Sequence, residues 1–355
     1  MRVALVHDYL NQRGGAERVF AHIANAFPDA PVYTALYDAR VTGDLVDPAR
    51  VRASFLNRLP ESKRYFRYLA PLYPRAFESF DFSDYDTIVS STTAWAKGIT
   101  IPPGAVHICY INTVSRFTFA YDRYVAPSVP AFGFFAHAMT ARLAEWDIKA
   151  AQKPTALIAN SRNVADRIAR YYHRDSTVLH CPVDLARFEP GTGSGDYFIV
   201  ASRLLPYKRI DLAIEAAKIA GVPLVVTGSG PDAKRLRALA AASPLIRLTG
   251  YVSDSEMTHL FRNARAALIP GEEDFGLVPL EAAAAGRPAI AYRSGGALET
   301  IIEGETGEFF DDLTPASLAA MLRAFDARRY DRQKLRAHAE TFAPEHFVAR
   351  LRQIV

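Results

Sequence analysis

Two acidic side chains, Glu273 and Glu281, stand with seven residues between them in Gly271-Glu272-Glu273-Asp274-Phe275-Gly276-Leu277-Val278-Pro279-Leu280-Glu281. Carboxylates accept protons from hydroxyl groups, and the surrounding residues say which hydroxyls to expect. The run Ala266-Ala267-Leu268-Ile269-Pro270 reads as a buried parallel strand. Pro279 suits the first turn of a helix, Gly286 its C-terminal cap and Pro288 the stop beyond it. This predicts Glu273 on the loop at the strand's C-terminal edge and Glu281 in the first turn of the next helix. Open α/β sheets bind ligands at that edge. The N–H groups of Phe275, Gly276, Leu277 and Val278 would serve an anion there. An anion site beside a hydroxyl site is the chemistry of a sugar nucleotide.

Cations follow another strand, in Ala201-Ser202-Arg203-Leu204-Leu205-Pro206-Tyr207-Lys208-Arg209. Arg203 and Lys208 suit a diphosphate that leaves with growing negative charge. The competing reading is the solvated start of a helix. Gly14 and Gly15 sit between the first strand and the first helix, where two glycines permit a tight turn and close approach to a ligand. They do not form the dinucleotide pattern Gly-x-Gly-x-x-Gly, and Gly228-Ser229-Gly230 lacks its third glycine. Ser294-Gly295-Gly296 either touches the ligand or joins two elements. Asp84 and Asp86 have the spacing of a metal-binding pair, but aspartates just before a strand usually make turns. The nine histidines show no zinc-like spacing, and Ser90 to Thr93 lack the nucleophile elbow of a hydrolase.

The elements that would hold these residues alternate along the chain. Strands fit Val3–Val6, Thr87–Ser91, Val106–Ile111 and Ala156–Ala159, with a helix over Ala16–Phe27. A second series fits Tyr197–Ala201, Leu224–Thr227, Ile246–Thr249, Ala266–Ile269 and Ala289–Tyr292. Helices are expected from near Ile210, Asp232, Ser253, Pro279 and Ala297, and a helical tail from Thr314 to Val355 broken at Pro344. Alternation of this kind implies parallel sheets with right-handed crossovers. The fold expected is α/β: two Rossmann-like, doubly wound domains facing each other across a cleft. Their bounds are 1–185 and 197–337, with a flexible linker over 186–196 and a C-terminal helix, 338–355, returning toward the first domain.

At 355 residues, half of them hydrophobic and 23% charged, the chain has the profile of a soluble globular protein. No apolar stretch reaches the roughly 18 residues that span a bilayer. The first residues meet charge too soon for a secretion signal, and Cys109 and Cys181 alone suit a reducing cytosol. The net charge of +4 is concentrated between Arg52 and Arg75. There Arg58, Lys63, Arg64 and Arg67 alternate with Phe55, Leu56, Tyr65, Phe66, Tyr68, Leu69, Leu72, Tyr73 and Phe77. Basic residues among aromatics suit an anionic membrane surface, at about 1 kcal/mol for each basic residue near it. The competing reading is a helix pair with an aromatic core face. No recognition motif for nucleic acid accompanies the charge.

Together these stretches are similar to the retaining glycosyltransferases of family 4, which have the GT-B fold. The resemblance runs through Gly14-Gly15-Ala16-Glu17, Ala159-Asn160-Ser161-Arg162, Pro182-Val183-Asp184 with Arg187-Phe188, and Arg203 to Lys208. It continues through Gly228 to Pro231, Gly250 to Asp254 and the glutamate stretch with Asp274-Phe275-Gly276. The branch it resembles contains mannosyl- and related transferases that build bacterial surface polysaccharides on lipid carriers.

The resemblance implies that Arg203 and Lys208 bind the donor diphosphate, Glu281 the ribose hydroxyls and Glu273 a hydroxyl of the donor sugar. It sets the backbone of Phe275 to Val278 against sugar and phosphates, Tyr251 and Val252 near the base, and Gly14 and Gly15 against the diphosphate. It implies transfer with retention, no bound metal and no resident cofactor, the nucleotide sugar being a substrate. The expected reaction moves a hexose, mannose from GDP-mannose, to a lipid-linked saccharide at the inner face of the cytoplasmic membrane. The alternatives are a UDP- or other nucleotide-sugar donor, or a non-catalytic nucleotide-sugar-binding subunit. The chain departs from the branch where His-Thr-Pro-x-Arg is usual: it reads Asn112-Thr113-Val114-Ser115-Arg116. Asn112 can hydrogen-bond but cannot carry a proton's charge. Arg116 is grouped with Arg58, Lys63, Arg64 and Arg67 on the acceptor or membrane side.

Overall fold

The computed structural model describes residues 1–116, 133–193 and 195–355, and of 133–137 the backbone alone. Runs with few polar residues form strands, because a strand apolar on both faces needs helices above and below a parallel sheet. In the first sheet these are β1 (Val3–His7), β2 (Val32–Thr34), β3 (Val51–Ala53), β4 (Thr87–Thr92), β5 (Val106–Ile111), β6 (Ala156–Ala159) and β7 (Thr177–Val178). The second sheet has β8 (Tyr197–Ala201), β9 (Leu224–Thr227), β10 (Ile246–Gly250), β11 (Ala264–Ile269), β12 (Ala289–Tyr292) and β13 (Gly307–Phe310). Every pairing is parallel. The orders are β3-β2-β1-β4-β5-β6-β7 and β10-β9-β8-β11-β12-β13. Each sheet thus reverses direction beside its own first strand, between β1 and β4 and between β8 and β11. Crevices for ligands open at such reversals, outside the carboxyl ends of the strands.

Two compact units result: Met1–Cys181 with Phe347–Val355, and Pro182–His346. In the first, Ala4 and Val6 of β1 pack with Tyr33, Tyr73, Phe77, Phe82, Ile88 and Trp95. A second cluster joins Cys109 and Ile111 of β5 to Leu157, Val164, Ile168 and Tyr172. Each fully buried Val, Leu, Ile or Phe among them contributes about 1.5–3 kcal/mol. The helix Pro344–Ile354 closes this unit. Phe347 meets the Tyr110 ring edge-on at 5.7 Å, and Arg352 donates to the Ala26 carbonyl.

Three expectations about local structure need correction. The stretch from 186 to 196 is not a loose linker, although Ser194 itself lies outside the described residues. Gly191 N donates to Ala285 O, Arg287 and Arg332 donate to Gly193 O, and Asp196 N donates to Asn263 O. Gly195 has φ +83, and a Cβ there would lie 2.3 Å from the Ala264 backbone, so its glycine serves close packing. The segment 52–77 is not a helix pair. It forms 3-10 turns at Phe55–Arg58 and Phe66–Leu72 and a short helix at Tyr73–Glu78, with Pro71 inside the second turn. Proline removes the N–H that a longer helix would need. The tail is broken into Pro315–Ala324, Ala327–Arg329, Arg332–Glu340 and Pro344–Ile354, and Pro344 starts the last helix. No helix among the described residues is long and apolar enough to cross a membrane.

Candidate active site

At the C-terminal edge of the second sheet, the loops after β8, β11 and β12 stack on one another. Lys208 ends the 3-10 turn Pro206–Lys208, and Arg209 follows in the left-handed region with φ 52. A non-glycine residue held there costs on the order of 1–3 kcal/mol, a strain the surrounding contacts must impose. Gly271 supplies one of them: a Cβ on it would stand 2.8 Å from the Tyr207 carbonyl oxygen. On the other side, Gly296 N donates to Glu273 O at 2.9 Å, and a Cβ on Gly296 would stand 2.3 Å from Phe275 Cα. The glycine turn at 294–296 therefore backs the loop that carries Glu273.

This stacking brings the Lys208 ammonium into contact with the Glu273 carboxylate, their side chains 15% and 20% exposed. At an effective dielectric near 20, unit charges about 4 Å apart attract by about 4 kcal/mol before desolvation. Glu281 lies on the helix Leu277–Ala284, which starts after Gly276 at φ 91. A helix leaves its first N–H groups without acceptors of its own, and those of Leu277 and Val278 take none from within this helix. Phe275 turns inward, 3% exposed, with its ring 5.9 Å from that of Phe342. Arg187 stands 3.6 Å from Glu281 and donates to Asp254 at 3.0 Å. Tyr251 is 69% exposed and Val252 half-buried, just before the helix Asp254–Arg262, which Ser253 and Glu256 cap reciprocally. Arg203 is exposed and makes no ion pair among the described residues.

The corresponding edge of the first sheet is closed by its own side chains. Asp8, 1% exposed, accepts from Thr92 Oγ1, Thr93 N and Oγ1, Ala94 N, Trp95 N and Ala96 N at 2.6–3.0 Å. Beyond that loop the Lys97 ammonium lies 2.5 Å from Asp147, with side chains 1% and 0% exposed. Asp147 also accepts from Ser115 Oγ and Tyr172 OH, each at 2.7 Å. His7 stacks on Phe20 and approaches Ser91 O, and burial holds its pKa below the usual histidine range. No local pattern marks these partners: Asp8 and its donors are more than 80 residues apart.

Asn112 is 7% exposed, and its Nδ2 donates to Ser91 Oγ at 2.9 Å and Thr92 O at 3.2 Å. Both amide hydrogens thus tie the end of β5 to the end of β4. Val114, where proline was expected, packs in the core with Cys109 and Ile111. Gly14 is extended rather than left-handed, and a Cβ on it would meet Glu17 Oε2 at 2.8 Å, so space and not a tight turn accounts for it. Gly15 begins the helix Gly15–Ala26 and is exposed. Asp84 and Asp86 face Arg2. Arg116 is half-buried at the end of a described stretch.

The segment 52–77 divides its aromatics. Leu56, Phe66, Tyr73 and Phe77 are buried, whereas Tyr68 is 79% exposed and Phe55, Leu59, Tyr65 and Leu72 exceed 40%. Arg58, Arg64 and Arg67 are exposed among them, with Arg64 over the Tyr65 ring and Arg67 over Phe66. Lys63 and Arg64 line, with Arg40 and Asn57, a cavity of about 270 Å³.

Comparison with known proteins matches residues 13–187 to the family described as Glycosyltransferase Family 4 and residues 184–342 to Glycosyl transferases group 1. A D-inositol 3-phosphate glycosyltransferase of Streptomyces avermitilis is 30% identical over 253 residues, 58% of this chain. The match spans 54% of that relative's own length, about half. One from Mycolicibacterium gilvum is 28% identical over 77% of this chain and 71% of its own. Among solved structures, Anabaena HepE in complex with UDP and glucose has a TM-score of 0.74 at 16% identity, covering 100% of this chain and 99% of its own. Sucrose-phosphate synthase from Thermosynechococcus elongatus has a TM-score of 0.74 at 15% identity, covering 100% and 98%. At such identities the likeness is one of fold.

Proposed function

We propose that the chain, which matches Glycosyltransferase Family 4 over its first half and Glycosyl transferases group 1 over its second, is a GT-B glycosyltransferase that transfers a hexose from a nucleotide sugar with retention. The observation that carries this reading is the set of charges at the β8/β11 edge: Lys208 on Glu273, with Glu281 and the N–H groups of Leu277 and Val278 beside them. In the proposed reaction, the bond from the anomeric carbon to the diphosphate oxygen breaks and the electron pair leaves with the nucleoside diphosphate. The acceptor oxygen attacks from the same face, forms the new glycosidic bond and passes its proton to a diphosphate oxygen. Arg203 and Lys208 stabilise the departing charge in place of a metal ion. Glu273 orients a sugar hydroxyl and Glu281 the ribose. The family resemblance implies Gly14 and Gly15 for the diphosphate, and Asn112 stands where the branch usually has a donor-contacting histidine.

The donor that the family resemblance implies is GDP-mannose. A uridine nucleotide is the second reading, supported by the HepE complexes with UDP and with UDP-glucose. For the acceptor we propose a lipid-linked saccharide at an anionic membrane, supported by exposed Tyr65, Tyr68 and Leu72 among Arg58, Arg64 and Arg67. The test is nucleoside diphosphate release from GDP-mannose and UDP-glucose by the purified chain with bacterial lipid extract, with and without EDTA. Release with either donor, undiminished by EDTA, is expected. No release above the chain lacking Lys208 and Glu281 side chains removes the reading. Anionic vesicles should retain the protein at low salt and release it as salt rises; failure to bind them removes the membrane.

A further inference from the structure

Arg187 sits between two parts of the nucleotide edge that its own sequence position does not connect. It ends the 3-10 turn Leu185–Arg187 near the start of the second unit. Its Nη2 donates to Asp254 Oδ1 at 3.0 Å, while Nη1 stands 3.6 Å from Glu281 Oε1. Asp254 opens the helix Asp254–Arg262, just after Tyr251 and Val252, and Glu281 belongs to Leu277–Ala284. The backbone holds the residue too: Arg187 O accepts from Thr258 Oγ1 at 2.5 Å. Its neighbour Phe188, 2% exposed, packs edge-on against Phe261 at 5.5 Å.

A planar guanidinium holds its donors in a rigid fork, so Nη1 and Nη2 can face two carboxylates in a fixed geometry that a flexible ammonium does not impose. Arg187 Nε is buried without a hydrogen-bond partner. A buried donor left unsatisfied is unfavourable, so the contacts that offset Nε are those of Nη2 with Asp254 and Nη1 with Glu281. An ionised carboxylate has about four lone-pair sites, so the oxygen turned to Arg187 does not exhaust the acceptors of Glu281.

We propose that Arg187 is a positioning residue: it sets the Glu281 carboxylate for the ribose hydroxyls and couples it to the loop Tyr251–Asp254. The inference rests on the proposed role of Glu281. A purely structural ion pair would hold the unit together without affecting how the protein tells ribose from deoxyribose. A positioning residue would affect that distinction.

The experiment measures dissociation constants of UDP, GDP and their 2′-deoxy counterparts for the wild-type chain, Arg187→Met, Arg187→Lys, Asp254→Asn and Glu281→Ala, with the melting temperature of each. The wild type should favour the ribonucleotide by at least about tenfold, the effect of one hydrogen bond to a charged group. Arg187→Met should bring that ratio close to the value in Glu281→Ala, and Arg187→Lys and Asp254→Asn should fall between. If Glu281→Ala loses the preference while folded Arg187→Met keeps it, the inference is overturned. Should Arg187→Met fail to fold, wild-type ratios in both Arg187→Lys and Asp254→Asn overturn it equally. A preference that survives in Glu281→Ala, or no binding of either nucleotide, instead removes the reading of Glu281 beneath it.

Discussion

The two sheets turn at the same place in their topology, beside β1 and beside β8, and each has an acidic residue on a loop at that turn. Asp8 of the first sheet is sealed in, 1% exposed, by donors from residues 92–96. Glu273 of the second keeps 20% of its side chain exposed beside the Lys208 ammonium. The same contrast separates Lys97–Asp147, wholly buried, from Lys208–Glu273. Sealed charges are satisfied entirely by their own chain and fix its shape. Charges left part-way in solvent still have capacity for a ligand. Burial, more than residue type, decides which of the two a carboxylate does.

Breaking a buried partner should have the largest effect. Asp147→Leu strands the Lys97 charge and should cost about 3–5 kcal/mol of stability, measured by urea unfolding. Replacing both, Lys97→Met with Asp147→Leu, should recover much of that loss. If the single and double variants are equally stable, the pair is not the closed unit described. At the open edge, Lys208→Ala should cost less stability than Asp147→Leu but lower transfer by about 10²–10³-fold. A stability loss as large as that of Asp147→Leu would erase the contrast.

Asn112 lies on the dividing line. Its amide holds Ser91 and Thr92, so Asn112→Ala should cost about 1–2 kcal/mol of stability. A contact with the donor predicts in addition a ten- to hundredfold loss of transfer, about 1.4–2.7 kcal/mol. Lost stability with unchanged transfer places Asn112 with the sealed groups.

The last effect concerns pH and is read as a slope. Burial, reinforced by the Lys153 charge, lowers His107 to about 3 from the usual 6.5. The unfolded chain then binds a proton that the folded chain refuses. Stability supplied by neutral His107 is present above pH 6.5 and is lost as pH falls toward 3, at no more than about 1.4 kcal/mol per unit. His107→Gln should flatten that slope relative to wild type in unfolding curves between pH 6.5 and 4. An unchanged slope would mean that His107 is not kept neutral.

Much of this was legible from local pattern. Val106–Ile111, Ala156–Ala159, Tyr197–Ala201, Leu224–Thr227 and Ala289–Tyr292 stand where continuous apolar runs put them. The strands Val32–Thr34, Val51–Ala53, Thr177–Val178 and Gly307–Phe310 were missed, being too short for a period to declare itself and carrying Tyr, Arg, Thr or Glu. Lys208, Glu273 and Glu281 could be placed at one edge because each sits within a few residues of a strand or helix end. Arg187 could not be given its place: its partner Glu281 is on another element, and only folding sets them 3.6 Å apart. For the same reason no local pattern marks Lys97 and Asp147 as partners.

The division of the chain has a consequence for its synthesis. Residues 182–346 form one unit, while 347–355 belong to the other, where Phe347 meets Tyr110 and Arg352 reaches Ala26. A ribosome delivers the interrupted unit in two instalments with the whole of its neighbour between them. The first unit therefore waits, with the surface around Tyr110 and Ala26 uncovered, while the second is made and can fold without interruption. The unit begun first is completed last.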